Sequence, residues 1–190
     1  MLGILRESCL IKSKVLYIGF ANQGAFIALE LATKLNNSRF EIDIFGFGDQ
    51  NSVDSLNLEI KIVEAKSSTK VTFRGSLTPS ELTEQLATYD IGLANQGFDA
   101  SFGDASFPSK ILHYLSSGLT VVATGSPAVV SWDSKDIIFV YFKQNLDDLV
   151  DDLNCYDKKE NLGTSKASDL DYLIKKSMKE GFDDFVCRIS

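Results

Sequence analysis

The chain has 190 residues, 44% of them hydrophobic, with a net charge of −7 and a single histidine. That length fits one domain with a substantial core. The negative balance excludes a general nucleic-acid binder, which needs a basic surface, and excludes attachment to an anionic membrane by charge alone. No apolar run has the length of a spanning helix, and MLGILRESCLIKSK is too short and too charged for a secretory signal. Cys9, Cys155 and Cys187 are odd in number and far apart, with no CxxC spacing, so a reduced, cytoplasmic protein is the simplest reading. One histidine excludes zinc sites built on paired histidines, and any Ser–His–acid triad would have to use His113.

The first strand is expected over Lys14–Phe20 (KVLYIGF), followed by the turn-like ANQGA and a helix over Ala25–Leu35, where apolar residues recur at helical spacing. Asn36-Asn37-Ser38 breaks that helix. Glu41–Phe47 is a second strand closed by Gly46 and Gly48. Between Gln50 and Thr69, Ile60, Ile62 and Val63 suggest a weak or edge strand. Val71–Arg74 is a further strand, ending at Gly75. Thr78 can then cap a helix, with Pro79 at its first position and Glu81 completing a capping box. Leu82 and Leu86 supply its buried stripe.

Ile91–Ala94 is the next strand, followed by a Gly/Asp/Ser-rich loop over Asn95–Ser106. A helix from Pro108 to Ser117 leads into a buried strand at Thr120–Ala123, and another strand spans Ile137–Phe142. Leu146, Leu149, Val150 and Leu153 mark an acidic amphipathic helix. Its Asp147, Asp148, Asp151 and Asp152 are read as a solvated face rather than a cation site. Asp157–Ser168 is linker-like, and a last helix is expected over Asp169–Lys179.

Strands alternating with helices of about ten residues mean βα units. The expected fold class is α/β, a Rossmann-like doubly wound and mostly parallel sheet of about six strands with helices on both faces. The expected organisation is a tail or linker at 1–13, a Rossmann-like domain at 14–156 and a helical extension at 157–190. Ligands of such sheets bind at the carboxyl ends of the strands.

The Pro108–Ser117 helix carries a lysine at its entrance. The first turn bears partial positive charge and free N–H groups, so a cation there is unfavourable unless an anion is brought to it. Ile111, Leu112 and Leu115 share one side; Ser109, Lys110 and His113 share the other. The apolar side is expected on the sheet, with Lys110 and His113 toward a crevice. The first loop, GFANQGAF, lacks the GxGxxG dinucleotide fingerprint.

FPSKILHYLSSGLTVVATGSPAV resembles the donor-site segment of the retaining GT-B-type glycosyltransferases of the group-1/group-4 superfamily, whose pattern is close to P-x-K-x-x-E-Y-x-x-x-G-x-P-V-V-A-T. KVLYIGF resembles the first strand of their C-terminal half. VTFRGSLTPSELTEQLATYDIGLA resembles their run of strand, glycine, helix and strand. The likeness covers about Lys14 to Leu153.

The resemblance implies the donor-binding half of a hexosyltransferase-type enzyme of bacterial polysaccharide or glycoconjugate biosynthesis, using a UDP- or GDP-sugar and no metal or other cofactor. Lys110, with Ser109 and the helix N-terminus, would hold the diphosphate. The backbone near Arg74, Gly75 and Leu77 would border the base, and Gly19, Asn22 and Gln23 would line the phosphates. No catalytic residue is assigned.

Three departures from the family pattern stand out. His113 stands where a glutamate receives the ribose hydroxyls, and an imidazole offers fewer acceptors than a carboxylate. Ala105, beside Asp104, takes the place of the earlier acid. Asn22 and Gln23 replace a basic residue of the first loop. Only residues 1–13 precede the first strand, so the chain is expected to be half an enzyme, partnered by an acceptor domain on another chain or in a missing N-terminal half. The alternatives are a non-catalytic nucleotide- or protein-binding module of the same fold, a nucleotide-sugar epimerase, and an unrelated flavodoxin-like domain.

Overall fold

A computed structural model describes residues 12–21, 23–95, 109–125, 129, 138–141 and 146–155. The described elements are β1 (Ser13–Phe20), α1 (Gln23–Leu35), β2 (Phe40–Phe47), α2 (Gln50–Lys66), β3 (Lys70–Gly75), α3 (Pro79–Leu86), β4 (Ile91–Ala94), α4 (Ser109–Ser116), β5 (Thr120–Thr124), β6 (Ile138–Tyr141) and α5 (Leu146–Cys155). The linker and last helix expected after residue 156, the Asn95–Ser106 loop beyond its first residue, and Pro108 lie outside the described residues.

The strands form a six-stranded sheet in the order β3-β2-β1-β4-β5-β6. Every pairing is parallel. This is the doubly wound α/β architecture the alternation predicts. The chain winds outward from β1 in one direction and from β4 in the other, so the order reverses between them. Loops leaving two neighbouring strands on opposite faces open a crevice at that point.

β1, β2, β4 and β5 alternate between two cores. Val15 and Tyr17 of β1 pack with Ile42, Ile44 and Leu93 under α1, α2 and α5. Leu16 and Phe45 pack with Ala94, Val121 and Ala123 under α3 and α4. α1 approaches the sheet closely because Ala25, Ala28 and Ala32 fill its inner side. α5 is tied to the end of α1 and the turn after it by Lys34 to Asp147 (2.6 Å) and by Asn37 to Asn154 (3.1 Å).

The segment after β2 corrects the sequence reading. Where Ile60, Ile62 and Val63 suggest an edge strand, the chain forms α2, a 17-residue helix. Local β propensity loses to a cap and a stripe. Asp49 accepts from the Ser52 N–H at 2.7 Å, closing the helix entrance. Leu56, Ile60 and Val63 then fall at i, i+4 and i+7 and are the buried residues of the helix. Ile62 points outward and is 37% exposed.

The other local signals match the structure. Thr78, Pro79 and Glu81 form the capping box of α3, with the Thr78 N–H donating to Glu81 Oε2 at 2.8 Å. Gly118 ends α4 at a positive φ of 80°, where glycine alone has no side-chain penalty.

Candidate functional site

The site is built from the carboxyl ends of β1, β2 and β4 and from the entrance of α4. α4 starts at Ser109 and has no acidic residue in its first turn. Ile111, Tyr114 and Leu115 bury its inner side. Tyr114 was not among the residues expected inside. It lies flat over Gly92 of β4, where any Cβ would collide with the ring. That contact sets how closely α4 approaches the sheet.

So seated, α4 carries Lys110 over the sheet edge to β1. Its Nζ lies 5.2 Å from the centroid of the Tyr17 ring. It also lies 2.9 Å from where a Cβ would stand on Gly19. The structure therefore brings together Gly19 and Lys110, two residues the sequence reading assigned to one phosphate site. Burial holds the Lys110 ammonium below the ordinary lysine pKa. Among the described residues no carboxylate pairs with it. A half-buried cation at a helix N-terminus without a counter-charge is an arrangement that an anion would relieve.

Tyr17 is the residue that sequence reasoning missed here. It is 2% exposed, and burial raises its phenol to about 12. Its hydroxyl sits where Cβ atoms on Gly19 and Gly24 would have to go. The hydroxyl donates to the Phe20 carbonyl at a long 3.4 Å. Asn95, at the end of β4, donates to the Gly24 carbonyl at 3.3 Å and accepts from the Tyr141 hydroxyl at 2.7 Å. Together these contacts fix the start of α1 relative to β4.

The other expected residues are distributed as follows. Gly75 has φ 76° and open space around a would-be Cβ. Ser76 then donates to the Gly46 carbonyl at 3.3 Å, holding the β3–α3 turn against the end of β2. Leu77 packs at the margin of the core under α3 and α4. The Arg74 side chain is committed elsewhere, to Asp43 at 3.1 Å. The Tyr89 hydroxyl donates to the same carboxylate at 2.7 Å. Ser109 and His113 are exposed on α4, one turn apart. Asn22, Asp104 and Ala105 lie outside the described residues, as does the side chain of Gln23, the first residue of α1. Among the described residues no helix is long and apolar enough to cross a membrane, and no group of His, Cys, Asp and Glu is arranged to hold a metal ion.

No family model matches the sequence, and no curated protein matches it. Solved structures do. A glycosyltransferase from Rickettsia africae superposes with a TM-score of 0.66 at 17% identity, over 86% of this chain and 43% of its own. HepE from Anabaena, solved in complex with UDP-glucose, superposes with a TM-score of 0.67 at 12% identity, over 93% of this chain and 49% of its own. The C-terminal domain of LpcC, a group 1 glycosyltransferase from Francisella tularensis, gives 0.61 at 16% identity, over 86% of this chain and 85% of that domain. The chain spans less than half the length of the first two and most of the third, which is a lone C-terminal domain. The fold is that of the C-terminal half of a GT-B glycosyltransferase.

Proposed function

We propose that the chain is the donor-binding half of a nucleotide-sugar-dependent glycosyltransferase of bacterial polysaccharide or glycoconjugate biosynthesis, acting with an acceptor domain. The carrying observation is the delivery of Lys110 from the entrance of α4 to Gly19 at the carboxyl end of β1. Two neighbours of this fold support a nucleotide-sugar donor. HepE is seen with UDP-glucose, and a trehalose-6-phosphate protein from E. coli is bound with UDP-2-fluoro glucose.

In this reading Lys110, Ser109 and the α4 N–H groups bind the diphosphate, with Gly19, Asn22 and Gln23 along it. Gly75, Leu77 and the Arg74 backbone border the base, and His113 faces the ribose. Transfer leaves negative charge on the departing nucleoside diphosphate. A positioned ammonium and the helix N-terminus stabilise that charge as it develops. Lys110 and the helix supply in this way what a metal supplies elsewhere, so no metal is required. The acceptor nucleophile and its base come from the partnering half. A cytoplasmic location goes with a nucleotide-sugar substrate and with the sparse, unpaired cysteines.

His113 favours a second reading, a nucleotide-binding module that does not transfer sugar, because it replaces the family carboxylate. Titration calorimetry with UDP, GDP and ADP tests the first reading; no heat from any of them at millimolar concentration sinks it. Lys110→Ala is expected to lose most of the binding. Sugar transfer on adding an acceptor half separates the enzyme from the module.

A further inference from the structure

Phe20 and Phe47 are register partners at the last positions of β1 and β2. Their ring centroids lie 4.5 Å apart with planes tilted by 58°. Both are large, apolar and more than half exposed, at 55% and 58%. Among the described residues the other large exposed apolar side chains are Leu58 and Ile62, on α2. Strand alternation places the pair on the side of Ile18 and Phe45, the side packed by α3 and α4. The rings thus stand at the carboxyl edge of the sheet, on the side from which Lys110 arrives.

Their neighbours are equally telling. The preceding residues, Gly19 and Gly46, are also register partners, and a Cβ on Gly46 would collide with the Gly19 carbonyl. Ser76 ties the Gly46 carbonyl to the turn that carries Gly75. The edge therefore offers side-chain-free backbone on β1, β2 and β3 in a row, about 10 Å across at ordinary strand spacing. One end of this shelf has the Lys110 ammonium. The aromatic pair, more than half exposed, stands at the same edge, on the opposite face of the sheet from the Tyr17 ring over which Lys110 lies. A ligand matching the shelf has an anionic group at one end and a flat, stackable ring at the other.

We propose that Phe20 and Phe47 are the stacking platform for the base of the bound nucleoside diphosphate, and that they hold it chiefly by ring contact. This rests on the proposed function and deepens it. Because every base has a π face, the platform accepts the bases with modest discrimination. Hydrogen bonding at the Gly75–Leu77 backbone would then set the preference among them.

The test uses titration of the full chain with UDP, GDP, ADP and inorganic pyrophosphate. Phe20→Ala and Phe47→Ala each remove an exposed ring, so the fold is kept; circular dichroism checks this. Each is expected to weaken the tightest-binding nucleotide roughly tenfold, the scale of one base–aromatic stack, and to leave pyrophosphate affinity unchanged. Phe47→Tyr is expected to keep nucleotide affinity. Unchanged nucleotide affinity in both alanine variants overturns the platform and assigns the pair to contact with another domain. Equal losses for nucleotide and pyrophosphate overturn it as well. Wild-type chain that binds pyrophosphate but no nucleotide overturns the platform while the anion site stands; binding of neither removes the proposed function and the platform with it.

Discussion

The Lys110 ammonium rests over the Tyr17 ring, 5.2 Å from its centroid, joining α4 to β1 across the edge of the sheet. A cation over an aromatic face is attracted by the ring quadrupole, the more so when desolvated. The ring therefore fixes where the charge is presented. Tyr17→Phe keeps the ring and is expected to hold pyrophosphate affinity within about twofold. Tyr17→Leu removes the quadrupole and is expected to weaken it about tenfold. Titration of both variants checks this, and equal affinities would assign the position of Lys110 to α4 alone.

Burial without a counter-charge gives Lys110 a pH signature. Its folded pKa lies below the ordinary lysine value of 10.5. Below the folded pKa the cost of the buried charge is fully present. Between the folded and the ordinary value the unfolded chain binds more protons, so stability rises with pH across that window. Lys110→Met should therefore raise the melting temperature at pH 7, by about 2–4 °C for each kcal/mol relieved, and the gain should shrink as pH climbs through the lysine's pKa. The same variant should lose pyrophosphate binding. A bound anion favours the charged form, so wild-type affinity should fall as pH rises, whereas Lys110→Arg should flatten that slope. Melting curves and titrations at several pH values read both effects.

Two glycines of the site edge should respond to different degrees to the same substitution. Gly46→Ala drives a methyl group into the Gly19 carbonyl across the β1–β2 pairing. Neither backbone can yield without parting the strands, and a loss of about 2–3 kcal/mol is expected in denaturant unfolding. Gly75→Ala meets open space and bears only the left-handed φ of 76°, for about 1–2 kcal/mol.

Arg74 separates backbone from side-chain roles. Its guanidinium is paired with Asp43 and is half exposed. Arg74→Ala should cost less than about 1 kcal/mol of stability. It should change nucleotide affinity less than about twofold, since the proposed function gives the base only the backbone there. A tenfold loss on titration would show that the side chain leaves Asp43 to meet the ligand.

Gly92 and Tyr114 carry a longer-range effect. Gly92→Ala would push the Tyr114 ring outward and α4 with it. Lys110 rides on that helix, so both stability and pyrophosphate affinity should drop. Tyr114→Phe loses the hydroxyl's hydrogen bonds to the Leu93 carbonyl, at 3.4 Å, and with the Ile18 backbone, and should leave affinity intact. Parallel melting and titration of the two variants tests the linkage.

Much of this molecule was legible in the sequence, and the residues show why. The α3 capping box is local, since Thr78 and Glu81 lie three residues apart and carry their own signal. The strand–helix alternation and Lys110 at its helix entrance are also local patterns. α2 was misread because Ile60, Ile62 and Val63 favour strands by type, while the deciding features were the Asp49 cap and the Leu56–Ile60–Val63 spacing. The contacts that shape the site are a different matter. Tyr17 with Lys110, Gly46 with Gly19 and Gly92 with Tyr114 each join segments far apart in the chain, and no local pattern announces them.

The reversal of strand order between β1 and β4 has a consequence for assembly. β1 to β3 form one continuous run of chain and β4 to β6 another, and the strands of the two runs pair along Val15–Ile91, Leu16–Gly92 and Tyr17–Leu93. Lys110 over Tyr17 and Asn95 bonded to Gly24 both bridge that seam. A chain in which only one run has formed its strands has no place to hold an anion. The cradle exists only where the two runs join, so an anion bound there would favour the joined state over any in which the runs have parted.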